Sequence, residues 1–461
     1  MDTKELLPFH LFQYNGERYM INVEKMQADT MDQHSYSYLE KLAIDGYMAE
    51  LPPDMQSKLE HYGLLPTEGT KSRQVLSPKH TPITYMSLLV TQDCNLRCIY
   101  CYEDKTKARM DEKTAFRAVD WLIRKSENMR SIHIVFFGGE PLLNFPLMKA
   151  VVEYANEAAH KAGKQATYSI TTNGTLLDDE KNQFFLKHQI KVMISFDGRK
   201  ELQDVQRPFA SGSGSYDLIL PKIHDLLKLM PQTSCHAVVM GNTSPEKVKD
   251  ALQELGFQQV SVAMNSQSLF TLDSQKDKAS DRDIRSMISA LEEEAIVWYN
   301  RIIARDTVSI NKLTGRSYLY LALRCLLNHS MRIFFCGAGR SMAAVAPSGD
   351  IYLCHRFVGL DDYRIGSIDE HDLNLESFSQ SPVEANAICN RCFARYYCGG
   401  GCKHDHVSSR GYIDQPEEGM CQLKQRELEL AATVVSRLSH EDRNWLVKEK
   451  IFPPKPCPLD F

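Results

Sequence analysis

Residues 91–102 read TQDCNLRCIYCY, with Cys94, Cys98 and Cys101 in a CxxxCxxC spacing and Tyr100 just before the third cysteine. One short loop therefore presents three thiolates. Iron–sulfur clusters are held by cysteine thiolates and usually take four, so a compact set of three leaves one iron open. Read alone, the triplet also admits part of a zinc site or a chance grouping.

The pattern around the loop decides the fold. The apolar run TYMSLLVT (84–91) leads into it, and comparable runs follow at 132–137, 167–172, 191–196, 234–240 and 259–264. Helix-like stretches near 111–127, 145–162, 178–188, 215–229 and 245–255 separate them. Six strand-and-helix units predict an α/β fold with a parallel sheet, a partial TIM-like (β/α)6 barrel whose site lies at the C-terminal ends of its strands. The cysteine loop follows the first strand directly. Gly138-Gly139-Glu140-Pro141 ends the second, Thr172-Asn173-Gly174 the third and Ser195-Phe196-Asp197-Gly198 the fourth. Glycine permits close backbone approach, while Glu140, Asn173, Ser195 and Asp197 offer hydrogen bonds to an amine or a ribose.

This succession resembles the radical S-adenosylmethionine (SAM) superfamily, whose cysteine loop binds a [4Fe-4S] cluster and leaves its unique iron for the amino and carboxylate groups of SAM. The resemblance implies SAM contacts from Tyr100, Gly138, Gly139, Glu140, Thr172, Asn173, Ser195, Asp197 and Arg207, with Gly138, Gly139 and Glu140 matching the loop that binds the methionine amino group. Residues 207–216, RPFASGSGSY, are similar to a stretch of the peptide-modifying branch. Arg207 reads equally as a contact to the SAM carboxylate or as a surface salt-bridge partner. No catalytic residue is assigned beyond the SAM-bound cluster.

A second cysteine set follows: Cys336, then Gly349 with four residues to Cys354, then Cys389, Cys392, Cys398, Cys402 and Cys421. Its order resembles the complete SPASM pattern, an extension of radical SAM enzymes that holds two auxiliary [4Fe-4S] clusters, although a treble-clef zinc domain also uses CxxC pairs. The resemblance implies Cys389, Cys392, Cys398 and Cys421 as ligands of the distal auxiliary cluster, and Cys336, Cys354 and Cys402 as three ligands of the nearer one. Either Cys325 or a substrate thiolate fills the fourth position; free cysteine is often simply buried. Cys235 reads as core and Cys457 as an exposed spectator. His404 and His406, flanking the last CxxxC, read as surface residues or as supports behind the ligands. The run CGAGRSMAAVAPSGDIYLCHRF (336–357) resembles the thioether-forming branch, including maturases of sactipeptides and ranthipeptides and the maturase of the quinohemoprotein amine dehydrogenase small subunit.

Upstream, residues 7–26 alternate apolar and polar side chains about Asn15-Gly16, the signal of a type I′ hairpin, and helical patterns follow at about 33–49 and 52–63. This module either caps its neighbour or, as its layout resembles, is a winged-helix-like element that binds the leader of a precursor peptide along a sheet edge. The reading divides the chain into 1–80 (module and linker, the linker at 65–82), 81–265 (barrel core), 266–330 (helical bridge, clearest at 281–303), 331–430 (auxiliary-cluster domain) and 431–461 (helix and tail).

At 461 residues several domains are expected. The composition, 43% hydrophobic and 25% charged with net charge −5, gives no reason to expect nucleic acid or an anionic membrane as partner. No apolar run reaches about 20 residues and the N-terminus lacks the features of a signal peptide, so a cytoplasmic protein is expected. Thirteen cysteines in a reducing compartment argue for metal or redox chemistry. Three [4Fe-4S] clusters, SAM, a precursor peptide and a donor such as flavodoxin or ferredoxin complete the expectation. The implied reaction is thioether crosslinking of Cys to Asp or Glu in a ribosomally made peptide. Its rivals are carbon–carbon crosslinking, formylglycine formation, for which no acidic base is assignable, and a non-enzymatic metal scaffold.

Overall fold

A computed structural model describes residues 6–45, 52–66, 81–240, 243–264, 277–314, 317–370, 373–374 and 382–453. The expected linker falls largely outside these residues, as do Cys457 and the start of the helical bridge.

The chain opens with β1 (Phe9–Tyr14), β2 (Glu17–Asn22) and β3 (Gln27–Thr30), an antiparallel sheet in that order, followed by α1 (Gln33–Asp45) and α2 (Pro53–His61). Asn15 and Gly16 both take positive φ, 50° and 80°, as a two-residue type I′ turn requires. The third strand was not foreseen, since four residues carry too little alternation to mark it.

The barrel strands are β4 (Tyr85–Thr91), β5 (Ser131–Gly138), β6 (Gln165–Thr172), β7 (Lys191–Ser195), β8 (Ser234–Val239) and β9 (Gln259–Met264). Between them run α3 (Glu112–Lys125), α4 (Phe145–Lys161), α5 (Asp179–Lys187), α6 (Lys200–Gln206), α7 (Tyr216–Leu229) and α8 (Pro245–Glu254). Helix starts are fixed locally: Asp111 accepts from the Thr114 amide and Asp178 from the Lys181 amide. The remaining helices include α9 (Asp277–Ile303), α10 (Thr307–Thr314) and α11 (Tyr320–Leu327). Then come β10 (Met342–Val345), β11 (Asp350–Tyr352), β12 (Arg364–Ser367), α12 (Arg395–Cys398), α13 (Lys403–Arg410), α14 (Glu418–Ser436) and α15 (His440–Lys448).

Two compact units result, Met1–Ser77 with Leu269–Cys336 and Ser381–Phe461, and Pro78–Ser268 with Gly337–Gln380. In the first, Met20 packs with Leu39, Met55 and Leu59, while Phe12, Tyr19 and Ile21 join a larger core around Trp298, Leu323, Leu428 and Leu446. In the second, nine strands form one sheet in the order β12-β11-β10-β4-β5-β6-β7-β8-β9, parallel from β10 through β9. The six expected parallel strands are all present, and β10 extends them beside β4.

The two faces of that sheet differ. Ile132, Ile134, Tyr168, Ile170, Val192, Ile194, Cys235 and Ala237 are fully buried; Tyr168 reaches the Val152 carbonyl of α4, so this face meets the helices. The alternate residues His133, Ser169, Thr171, Met193, Ser195, His236 and Val238 are only half-buried. A barrel interior is ordinarily filled by branched apolar side chains. Here serine, threonine and histidine stand on that face beside Met193 and Val238.

Candidate active site

The cysteine loop is seated on the end of β5 through backbone alone. Gly139 N–H donates to the Thr91 carbonyl at 3.0 Å and Glu140 N–H to the Asp93 carbonyl at 2.8 Å. A Cβ on Gly138 would run into the Thr91 carbonyl oxygen, and one on Gly139 into that of Asp93. The two glycines are thus required by the approach of the loop to β5. Gly138 also takes a φ of 121°, in the region that favours glycine.

Glu140 is fully buried and organises the next layer. Its carboxylate accepts from Thr172 Oγ1 at 2.7 Å, Asn173 N–H at 2.7 Å and Leu142 N–H at 3.1 Å. Burial pushes its carboxyl up to about 7, against the pull of those donors. Asn173 donates to Asn95 Oδ1 at 2.9 Å and lies 3.9 Å from the Cys94 sulfur, which also receives the Leu96 amide at 3.4 Å. Cys94 is buried, Cys98 half-buried and Cys101 exposed. Burial raises the Cys94 thiol to about 12, and Cys98 is raised by burial and by neighbouring Cys101. Such thiols become ligands only where metal charge repays ionisation, which fits a cluster held by all three.

On the far side of the loop, Tyr100 donates to Asp197 Oδ2 at 3.0 Å. Asp197 also receives Arg207 through Nε and Nη2, both at 3.0 Å, Gln206 at 3.0 Å and the Val238 amide at 3.0 Å. Arg207 lies over the Tyr100 ring at 5.3 Å and is buried, so its salt bridge is an internal one and not at the surface. Ser195 is half-buried at the end of β7, facing His236 in register.

Sequence reasoning passed over a third group. His355 packs on Phe137 at 4.3 Å between ring centroids and Arg356 lies over Tyr102 at 5.3 Å. Burial and then Glu103, Cys354 and Cys101 raise the Tyr102 hydroxyl, against the pull of Arg356. The residues after Cys354 therefore stand beside those after Cys101. The signal was the 336–357 run itself, whose strand β10 pairs with β4, the strand that leads into the loop.

In the other unit Cys389, Cys392, Cys398 and Cys421 come together. Burial and then Cys398, Cys392 and Cys389 push the Cys421 thiol up to about 12; burial and Cys398 push Cys389 to about 11. Gln425 donates to the Cys392 sulfur at 3.4 Å. Gly399, Gly400 and Gly401 follow Cys398 with φ of 69°, 93° and 76°. A Cβ on Gly399 would meet the Phe334–Phe335 peptide at 2.7 Å and one on Gly401 would meet His406 Nε2 at 2.8 Å. His404 and His406 are buried, and His406 Nδ1 bonds the Ile413 carbonyl at 3.0 Å. Cys336 and Cys402 are half-buried in this unit, Cys402 capping α13, while Cys354 is buried in the barrel unit at the end of β11. Cys325 sits on α11 in the apolar core, and Cys235 is buried and bonds the Phe196 carbonyl at 3.3 Å. Among the described residues no three His, Cys, Asp or Glu side chains converge tightly enough for a single metal ion. A four-iron cluster sets each thiolate on a different iron.

The model of the radical SAM superfamily matches residues 88–255. The uncharacterized protein MJ0907 of Methanocaldococcus jannaschii is 31% identical over 321 residues, covering 68% of this chain and 98% of that protein. The chain belongs to the radical SAM superfamily. The cysteine-type anaerobic sulfatase-maturating enzyme of Clostridium novyi is 24% identical over 347 residues, covering 69% of this chain and 88% of that one. The solved structure of anSMEcpe with bound AdoMet shares the fold, with a TM-score of 0.61, 20% identity and coverage of 76% of this chain and 98% of that one. As a radical SAM protein the chain uses a [4Fe-4S] cluster and SAM, and its C-terminal cysteines fit further clusters of the SPASM type. No helix among the described residues is long and apolar enough to cross a membrane.

Proposed function

We propose that this chain is a peptide maturase that joins a cysteine sulfur to a carbon of an acceptor residue, Asp or Glu, in a ribosomally synthesised peptide. One observation carries the reading: the 336–357 run, which resembles the thioether-forming branch, is stitched by β10 onto β4 and sets His355 and Arg356 beside Phe137 and Tyr102. The relatedness to sulfatase-maturating enzymes supports a peptide or protein substrate.

In this reading Cys94, Cys98 and Cys101 hold the first cluster, and the second cysteine set holds two more with the ligands given above. Bound together, cluster and SAM supply a 5′-deoxyadenosyl radical that takes a hydrogen atom from the acceptor carbon. The chain's own residues orient and enclose. Glu140 offers a buried carboxylate to the SAM amino group, with Thr172 and Asn173 fixing its position. Arg207 and Asp197 brace Tyr100 against the loop, and the half-buried face of the sheet receives the peptide while keeping bulk water from the reacting carbon. The N-terminal module (1–80) takes the leader along a sheet edge, and a flavodoxin or ferredoxin supplies electrons.

The test incubates the anaerobically reconstituted protein with SAM, reductant and a Cys-containing precursor peptide encoded beside its gene, and follows peptide mass and thiol count together. Loss of two hydrogens with one thiol no longer alkylatable per crosslink supports the reading. If 5′-deoxyadenosine forms while every thiol stays alkylatable, thioether formation is ruled out; a cysteine converted to an aldehyde with loss of sulfur points to formylglycine.

A further inference from the structure

We propose that His236, on the half-buried face of β8, accepts the proton of the substrate cysteine thiol during crosslinking. The proposal rests on the thioether reading above.

His236 points to the half-buried side of the sheet; its neighbours Cys235 and Ala237 are buried on the helix side. It faces Ser195 on β7 and Ser261 on β9 in register, so small side chains flank it. Its backbone is locked in place: the carbonyl accepts from the Phe196 amide at 3.1 Å and from Arg207 Nη2 at 3.4 Å. Two residues further along β8, the Val238 amide holds Asp197, so the imidazole lies one step along the same wall from the Tyr100–Asp197–Arg207 group. Among the described residues its ring nitrogens make no hydrogen bond.

In the peptide-free chain its surroundings keep the ring uncharged. Burial and then Arg207 hold the imidazole down to about 4, with Asp197 opposing and Arg356 assisting, so the ring is neutral near pH 7 and has a lone pair to offer. A carboxylate side chain entering the same space with the peptide draws the proton affinity of the ring back up. The arginines that disfavour imidazolium favour a thiolate nearby. The step is a proton transfer alone: the S–H bond breaks, an N–H bond forms on the imidazole, and the electron pair stays on sulfur; bonding of that sulfur to the acceptor-carbon radical releases one electron, which an oxidised auxiliary [4Fe-4S] cluster held by the second cysteine set would accept.

Two measurements test it. In the holoenzyme, diethyl pyrocarbonate labels His236, and the precursor peptide used above protects it about tenfold; protection below about twofold overturns the placement. In H236Q, crosslinked peptide falls by about a hundredfold while 5′-deoxyadenosine formation stays within about threefold, so hydrogen abstraction is uncoupled from bond formation. If H236Q crosslinks within about threefold of the unsubstituted enzyme, the proposal fails and the thioether reading stands. If the unsubstituted enzyme leaves every thiol alkylatable, the thioether reading fails first.

Discussion

Arg207 grips Asp197 with two parallel hydrogen bonds, Nε to Oδ2 and Nη2 to Oδ1, both at 3.0 Å, and both side chains are buried. The pair ties the start of the segment after α6 to the loop after β7, and Tyr100 of the cysteine loop hangs on the same carboxylate. Truncating one partner leaves the other charge buried and unpaired. R207A should therefore lower the unfolding free energy of the iron-free protein by about 3–5 kcal/mol in urea titrations. R207K keeps the charge but loses the fork and should fall between the two.

Gly139 has no room for a methyl group, since its Cβ would occupy the Asp93 carbonyl oxygen. Backbone on backbone cannot give way cheaply, so G139A must push the cysteine loop off β5 at a cost of about 2–4 kcal/mol. The expected result is loss of the first cluster with the auxiliary ones retained, read as a fall of about four irons per chain and loss of the SAM-dependent change in the EPR signal.

Burial raises the thiols of Cys389, Cys398 and Cys421, and Cys392 lies close enough to act on all three. Removing one should unseat a whole cluster. C421A is expected to lose about four irons per chain while the SAM-dependent EPR change persists, the complement of G139A. Equal iron content in C421A and the unsubstituted protein would contradict the ligand set.

His133 bridges Thr167 Oγ1 and Ser169 Oγ, each at 2.9 Å, near the start of the barrel strands. Burial, with Lys191 assisting, holds its imidazole down to about 4 against an ordinary 6.5. Between those values the unfolded chain binds a proton that the folded chain refuses, so His133 costs stability as pH falls from about 6.5 toward 4 and contributes no slope above 7. H133N should show a smaller drop in urea midpoint between pH 7 and pH 5 than the unsubstituted chain.

Much of the barrel was legible because its strands are apolar runs of ordinary length and its helices are amphipathic; the six strands fall within about two residues of their expected ends. The strands β3 and β10–β12, of three or four residues, fall below what alternation can register, and β10 owes its place to pairing with β4. The loops were legible as glycine and polar residues at strand ends, but their partners were not. Asp197 and Arg207 stand as candidate SAM contacts, Arg207 equally as a salt-bridge partner, and the sequence does not show that they bond one another. Gly138 and Gly139 match a SAM-binding loop, and the sequence does not show that the backbone of residues 91–93 also requires them. His236 was hidden in a strand pattern, since only the face it takes gives it a role.

In the proposed reaction a radical made at the Cys94–Cys98–Cys101 loop takes hydrogen from a carbon of a peptide lodged in the barrel. A precursor peptide deuterated at every carbon-bound hydrogen of its Asp and Glu residues tests it most directly, with the 5′-deoxyadenosine analysed by mass spectrometry. The account predicts one deuterium in each 5′-deoxyadenosine and one new thioether for each deuterium transferred. 5′-Deoxyadenosine free of deuterium, formed at the same rate with and without the peptide, would contradict it.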